Sequence, residues 1–188
     1  MGLNMKTGLI IIIVVLVLLV FWIISSYNTL IALKNKVKEA FATMDVYLKK
    51  RWDLIPNLVE TVKGYAKHES EILEKVTKLR SSSYDSMSDE EKVDVNNQLT
   101  AGIHQLLAVA ENYPDLKANQ NFMNLSNQLS QIEADIANSR KYYNATVRDL
   151  NNKVEMFPTN IVAGMFGFKE EKMFEAAEEE RENVKVQF

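Results

Sequence analysis

Few residues in this chain have the types and spacing that chemistry needs. His68-Glu69 invites a helical zinc-hydrolase reading, but that motif requires a second histidine four residues after the first, and position 72 is Ile. His104 stands far along the sequence with no third ligand in view. Carboxylate-bridged metals in helical proteins need Glu three residues before His; positions 65 and 101 are Tyr and Ala. Cys is absent, which excludes a thiol nucleophile, a Cys-held metal and a disulfide framework. No Ser-His-Asp set, phosphate loop or glycine fingerprint occurs. The sequence therefore calls for no cofactor, no metal and no catalytic residue. A hydrolase with an unfamiliar site is the remaining enzymatic alternative.

The remaining polar groups suit contacts between helices. Arg51, Asp53 and Asn57 flank Pro56. They read as an anion or partner site at a helix start, or as a cap in which Asp53 accepts free amides ahead of Pro56; the cap is the favoured reading. Glu133, Arg140 and Asn144 lie seven and four residues apart on one face. Arg140 is expected to pair with a carboxylate of a neighbouring helix, Asp53 or Glu69, and to fix register; a solvated face is the alternative. Asn119, Asn121, Asn124, Asn127, Gln120, Gln128 and Gln131 form an uncharged polar face for water or a partner.

The element that positions everything else is Leu9–Ile24, sixteen consecutive apolar residues including Leu9, Ile13, Leu16, Val20 and Ile24. They cover roughly 24 Å of helix, and Thr7, Gly8, Ser25 and Ser26 extend it toward a bilayer core of roughly 30 Å. Trp22 and Tyr27 stand where an interfacial aromatic belt would be. A signal peptide would have a shorter core and a small-x-small site, which Ile24-Ser25-Ser26 does not supply. A buried core helix would need more protein than the remaining chain offers. A retained anchor is expected. Lys34, Lys36, Lys38, Lys49, Lys50 and Arg51 against Lys6 predict the N-terminus outside and the following residues cytoplasmic, in a cell membrane crossed once.

Beyond the anchor, about 160 residues suffice for one domain. Six Gly, three Pro and no alternating pattern argue against a β fold, and the net charge of −3 gives nucleic-acid binding no support. Leu30, Leu33, Val37, Phe41, Met44 and Leu48 make one helical stripe. Pro56 interrupts it, by reversing the chain or kinking the helix; reversal is favoured. A second stripe follows, Leu58, Val62, Tyr65, Ile72, Val76 and Leu79. Ser81–Ser86 reads as a polar loop. Ser88-Asp89-Glu90-Glu91 is a capping box for a third helix with Val95, Leu99, Ile103, Leu106 and Ala110 inward. Pro114 opens a fourth, with Phe122, Leu125, Leu129, Ile132, Ile136, Tyr143, Val147, Leu150 and Val154 in a seven-residue repeat.

The predicted fold is all-α: an antiparallel up-down-up-down four-helix bundle over 28–156, continuing from a tail and transmembrane helix over 1–27. The apolar segment and acidic tail fill 157–188. The topology returns Phe157, Ile161, Val162, Met165, Phe166 and Phe168 to the bilayer, where they read equally as a membrane-interface or assembly contact and as a loop folded onto the open end. Between 169 and 183, seven Glu face three Lys or Arg, a solvated or frayed tail.

Several runs together resemble the LemA family: Arg51-Trp52-Asp53-Leu54-Ile55-Pro56-Asn57-Leu58-Val59, Val62-Lys63-Gly64-Tyr65-Ala66, His68-Glu69, Tyr27-Asn28, Tyr113-Pro114-Asp115-Leu116-Lys117-Ala118, Glu133 with Arg140 and Tyr143-Asn144, Phe157-Pro158 through Phe168, and Phe174-Glu175-Ala176. The resemblance implies an N-terminal anchor and a cytoplasmic helical bundle in bacteria, with no agreed activity. The expected role is a non-catalytic scaffold or self-assembling protein at the inner membrane. Its expected partners are the lipid bilayer and further copies of itself, a homo-oligomer. An accessory to an unidentified membrane signalling or transport protein is the alternative.

Overall fold

The computed structural model describes residues 5–66, 68–80 and 83–174. The tail Met1–Asn4, the acidic stretch after Phe174, and Ser81 and Ser82 of the expected loop lie outside them. The described residues are all-α, with six helices and no strand: α1 Met5–Tyr65, α2 Ser70–Lys78, α3 Asp89–Ala110, α4 Pro114–Lys117, α5 Gln120–Glu155 and α6 Thr159–Phe166. They form two compact units, one from the described residues of Met1–Ala42 with Lys141–Phe174, the other from those of Thr43–Arg140.

The first departure from expectation is at Pro56. The helix neither reverses nor ends there, but runs through it to Tyr65. Proline denies Trp52's carbonyl its helical donor, at about 3 kcal/mol. Trp52, Ile55, Leu58, Val59 and Val62, on both sides of it, are all buried. Each such burial contributes about 1.5–3 kcal/mol, so packing outweighs the break. The chain turns instead after Tyr65, where the Glu69 amide donates to Ala66's carbonyl at 3.2 Å.

The capping box at Ser88 is formed: the Glu91 amide donates to Ser88 Oγ at 3.3 Å and the Ser88 amide to Glu91 Oε2 at 2.7 Å. The Ser88 amide and hydroxyl hold the Glu91 carboxyl below its usual range. Pro114 does not open the long helix. It starts the single turn α4, which buries Leu116; α5 then begins at Gln120, because Asn119 Oδ1 accepts the Phe122 amide at 3.0 Å. An Asn in that position is a strong helix start.

α2 and α3 pack closely at Gly102. A Cβ there would lie 2.8 Å from Val76 Cγ2, and Val has little rotameric freedom to retreat. We expect Gly102→Ala to destabilise the protein by about 1–3 kcal/mol, as overpacking does. Val76→Ala in the same chain should recover part of that loss. Urea unfolding of the detergent-solubilised protein checks both; additive losses would contradict the close approach.

Candidate functional site

Two constructed regions stand out, one in each unit. In the Thr43–Arg140 unit the Arg51 side chain is fully buried. Its position follows from the α1 stripe, since Leu48, Trp52 and Ile55 around it all face the core. A buried guanidinium must have its donors satisfied, and this one does. Nε and Nη2 donate to Asn96 Oδ1 at 3.2 and 2.9 Å, and Nη2 also to the Asn96 carbonyl at 2.8 Å. Nη1 donates to Thr100 Oγ1 at 2.9 Å and to both Glu133 oxygens at 2.8 and 3.0 Å. Thr100 Oγ1 in turn donates to the Asn96 carbonyl, and Asn96 Nδ2 to that of Lys92. One side chain of α1 thus holds α3 and α5.

A second polar knot lies nearby. Tyr84, in a short 3-10 turn, is buried rather than lying in a solvated loop. Its hydroxyl donates to Asp45 Oδ1 at 2.7 Å, while Lys92 Nζ donates to Asp45 Oδ2 at 3.0 Å. The ring packs tilted against that of Trp52, centroids 5.3 Å apart, and lies under Lys92 at 5.1 Å. Burial, then the Asp45 carboxylate, pushes the Tyr84 phenol far above its ordinary range. Tyr113 donates to Glu69 Oε1 at 3.3 Å; lost hydration and that carboxylate raise its phenol too.

Several of the polar residues singled out in the sequence make contacts between or along helices. Arg51 and Glu133 meet. Arg140 Nη2 donates to Asn97 Oδ1 at 3.3 Å. Asp53 sits in the interior of α1 and caps nothing; it accepts Lys49 Nζ at 2.8 and 2.9 Å on the surface. Of the amide face, Asn119 starts α5 and donates to Tyr65 at 2.9 Å. Asn121, Asn124 and Gln128 line an open hollow of about 470 Å³ with Asn57 and Thr61. His68 and His104 are exposed, and among the described residues no three His, Asp or Glu gather as a metal site.

The other region is the foot of the apolar run. Every residue from Leu9 to Phe21 is exposed in the structure, and this stretch of α1 is long and apolar enough to cross a membrane. The cover begins where the run ends. Leu30, Val37, Val147, Leu150, Val162 and Ala163 form a buried cluster, and Trp22, Ile23, Tyr27 and Phe168 pack against it. Tyr27's ring centroid lies 4.8 Å from that of Phe166 and 5.9 Å from that of Phe168; Phe41 meets Tyr143 at 5.9 Å. Val162 is buried, while Phe157, Ile161, Met165 and Phe166 are exposed.

What holds α6 there is legible in the backbone. Gly167, at φ +71°, ends α6 in a Schellman turn, with the Phe168 amide on Ala163's carbonyl at 2.9 Å. The chain then runs extended along α5, clamped twice. Asn151 brackets Glu171 at 2.9 Å through both its amide and its carbonyl. Asn144 brackets Phe174 the same way at 2.9 and 2.7 Å. Seven helical residues rise about 10.5 Å and three extended ones span about 10 Å, so two asparagines one heptad apart match the strap's pitch. That spacing was the available signal, and only Asn144 stood out from the sequence.

A family model described as the LemA family matches residues 40–188. The chain is 28% identical over 158 residues to Protein LemA of Metamycoplasma hominis, covering 84% of this chain and 72% of that protein. It is also 31% identical over 71 residues to Magnetosome proteins MamQ 1 and MamQ 2 of Paramagnetospirillum magneticum, covering 38% of this chain and 26% of each.

Removing either member of the Arg51–Glu133 pair is expected to have unequal effects. Glu133→Ala strands a buried cation and should cost about 3–5 kcal/mol. Arg51→Met leaves a carboxylate that is 32% exposed and can be hydrated, and should cost less. Equal losses in urea unfolding would contradict this. Tyr84 gives a pH test. Its phenol is raised in the folded state, so the stability it confers is complete below the unfolded phenol range of about 10 and is lost as pH rises beyond it. Thermal scans from neutral to alkaline pH should show a smaller alkaline loss for Tyr84→Phe than for the parent protein.

Proposed function

The chain belongs to the LemA family, and on that premise we propose that it is a non-catalytic, membrane-anchored scaffold at the inner face of a bacterial cell membrane. The observation that carries this reading is the uncovered apolar stretch Leu9–Phe21 at the start of a helix that continues into packed protein. A helix apolar all round and bare of protein contacts wants lipid as its solvent. The N-terminus lies outside and the packed helices lie in the cytoplasm. Arg51 is neutralised internally by Glu133, but Lys34, Lys36, Lys38, Lys49 and Lys50 still outweigh Lys6.

In this reading α1, α2, α3 and α5 run as an antiparallel bundle. The order of contacts supports it for α1 and α5: Phe41 meets Tyr143 and Arg51 meets Glu133, later residues of one helix against earlier ones of the other. The groups found are those that fix register, Arg51 with Glu133 and Tyr84 with Asp45, which suits a rigid platform that assembles with further copies of itself. A second reading, an accessory to a membrane protein partner, draws on the amide-lined hollow at Asn57, Asn121, Asn124 and Gln128.

The absence of native Cys gives a direct test of topology. Single cysteines replacing Leu3 and Ser83 are challenged in intact cells with a membrane-impermeant thiol reagent. Labelling at position 3 alone is expected. Labelling at position 83 alone would place the helices outside and overturn the assignment.

A further inference from the structure

We propose that α6 is a lipid-binding element whose uncovered apolar side inserts at the headgroup boundary, beside the point where α1 leaves the bilayer. This rests on the reading of α1 as a retained span. Phe157, Ile161 and Met165 are 79%, 51% and 65% exposed. They recur at four-residue spacing, so Ile161 and Met165 share a face of α6. The opposite face, Val162 and Ala163, is buried. No charged residue occurs from Met156 to Phe168.

The occupant follows from where α6 sits. Trp22 and Ile23 belong to the apolar run itself, and both pack on the cluster that contains Val162 and Ala163. α6 therefore lies beside the last turns of that run. Phe21 and Ile24 on those same turns are 67% and 51% exposed, so the medium around them also meets the uncovered side of α6. If α1 spans, that medium is lipid. Phe166 against Tyr27 fixes the level, since Tyr marks the aromatic belt. The Gly167 turn and the Asn151 and Asn144 clamps hold α6 from its C-terminal side. Lys169 is followed by Glu170 and Glu171, so insertion relies on apolar side chains more than on anionic lipid.

The test uses the full chain reconstituted into phosphatidylethanolamine–phosphatidylglycerol vesicles. Spin labels are placed through Ile161→Cys, Met165→Cys, Ile13→Cys as the anchor reference and Gln131→Cys as the exposed reference. Power saturation then compares collision with oxygen, which partitions into lipid, and with a water-soluble nickel chelate. Positions 161 and 165 are expected to behave like position 13, with oxygen favoured several-fold, and to do so also without phosphatidylglycerol. Nickel access like that of position 131 would put α6 in water and overturn the proposal. Protection from both reagents would mean that a second copy covers α6, and would also overturn it. Nickel access at position 13 would instead show that the anchor reading had failed.

Discussion

The rest of the structure depends on one change of cover along a single helix. From Leu9 to Phe21 the side chains of α1 have no protein cover; from Leu30 onward one stripe of the same helix is buried. Full burial of a Leu, Ile or Val is worth about 1.5–3 kcal/mol. Leaving this run half exposed to water would forfeit an amount comparable with a typical domain's whole stability, about 5–15 kcal/mol. In the proposed reading lipid removes that penalty, and because the helix runs through without a break, the residues at the crossing would be fixed in depth. Trp22, Tyr27, Phe166 and Phe168 gather there.

Away from the crossing, specificity comes from buried polar groups. An apolar stripe on a long helix tolerates sliding by a turn; a fully buried guanidinium does not. Arg51 must meet Asn96, Thr100 and Glu133 together, and any shift would leave a desolvated charge unmatched. Tyr84 and Lys92 impose a similar condition through Asp45. Gly102 against Val76 adds a steric version of the same constraint.

Much of the architecture was legible because it is local. The apolar run, the stripe Leu30–Leu48, the Ser88 capping box and the heptads of α5 are written in contiguous spacing. The failures at Pro56 and Tyr84 share a cause, tertiary packing that overrode a local signal, while that at Pro114 is a second local signal, the Asn119 cap. Pro56 reads as a break, yet the buried residues around it keep the helix whole. Tyr84 reads as part of a serine-rich loop, yet its ring fills a space beside Trp52. Pro114 reads as the start of the long helix, whereas the Asn119 side chain starts it. At the candidate sites, Glu133 and Arg51 were visible as residue types, but their partners lie 82 positions apart and no periodicity joins them. The strap after Gly167 depends on two asparagines whose significance appears only once an extended segment lies alongside them.

The central claim is that the apolar start of α1 stays attached and remains in lipid. Alkaline extraction of membranes from expressing cells, followed by intact-mass analysis of the chain, tests it most directly. The account predicts that the protein stays in the membrane pellet at its full mass of 21.5 kDa. A chain shortened at its N-terminus and released into the soluble fraction would contradict it.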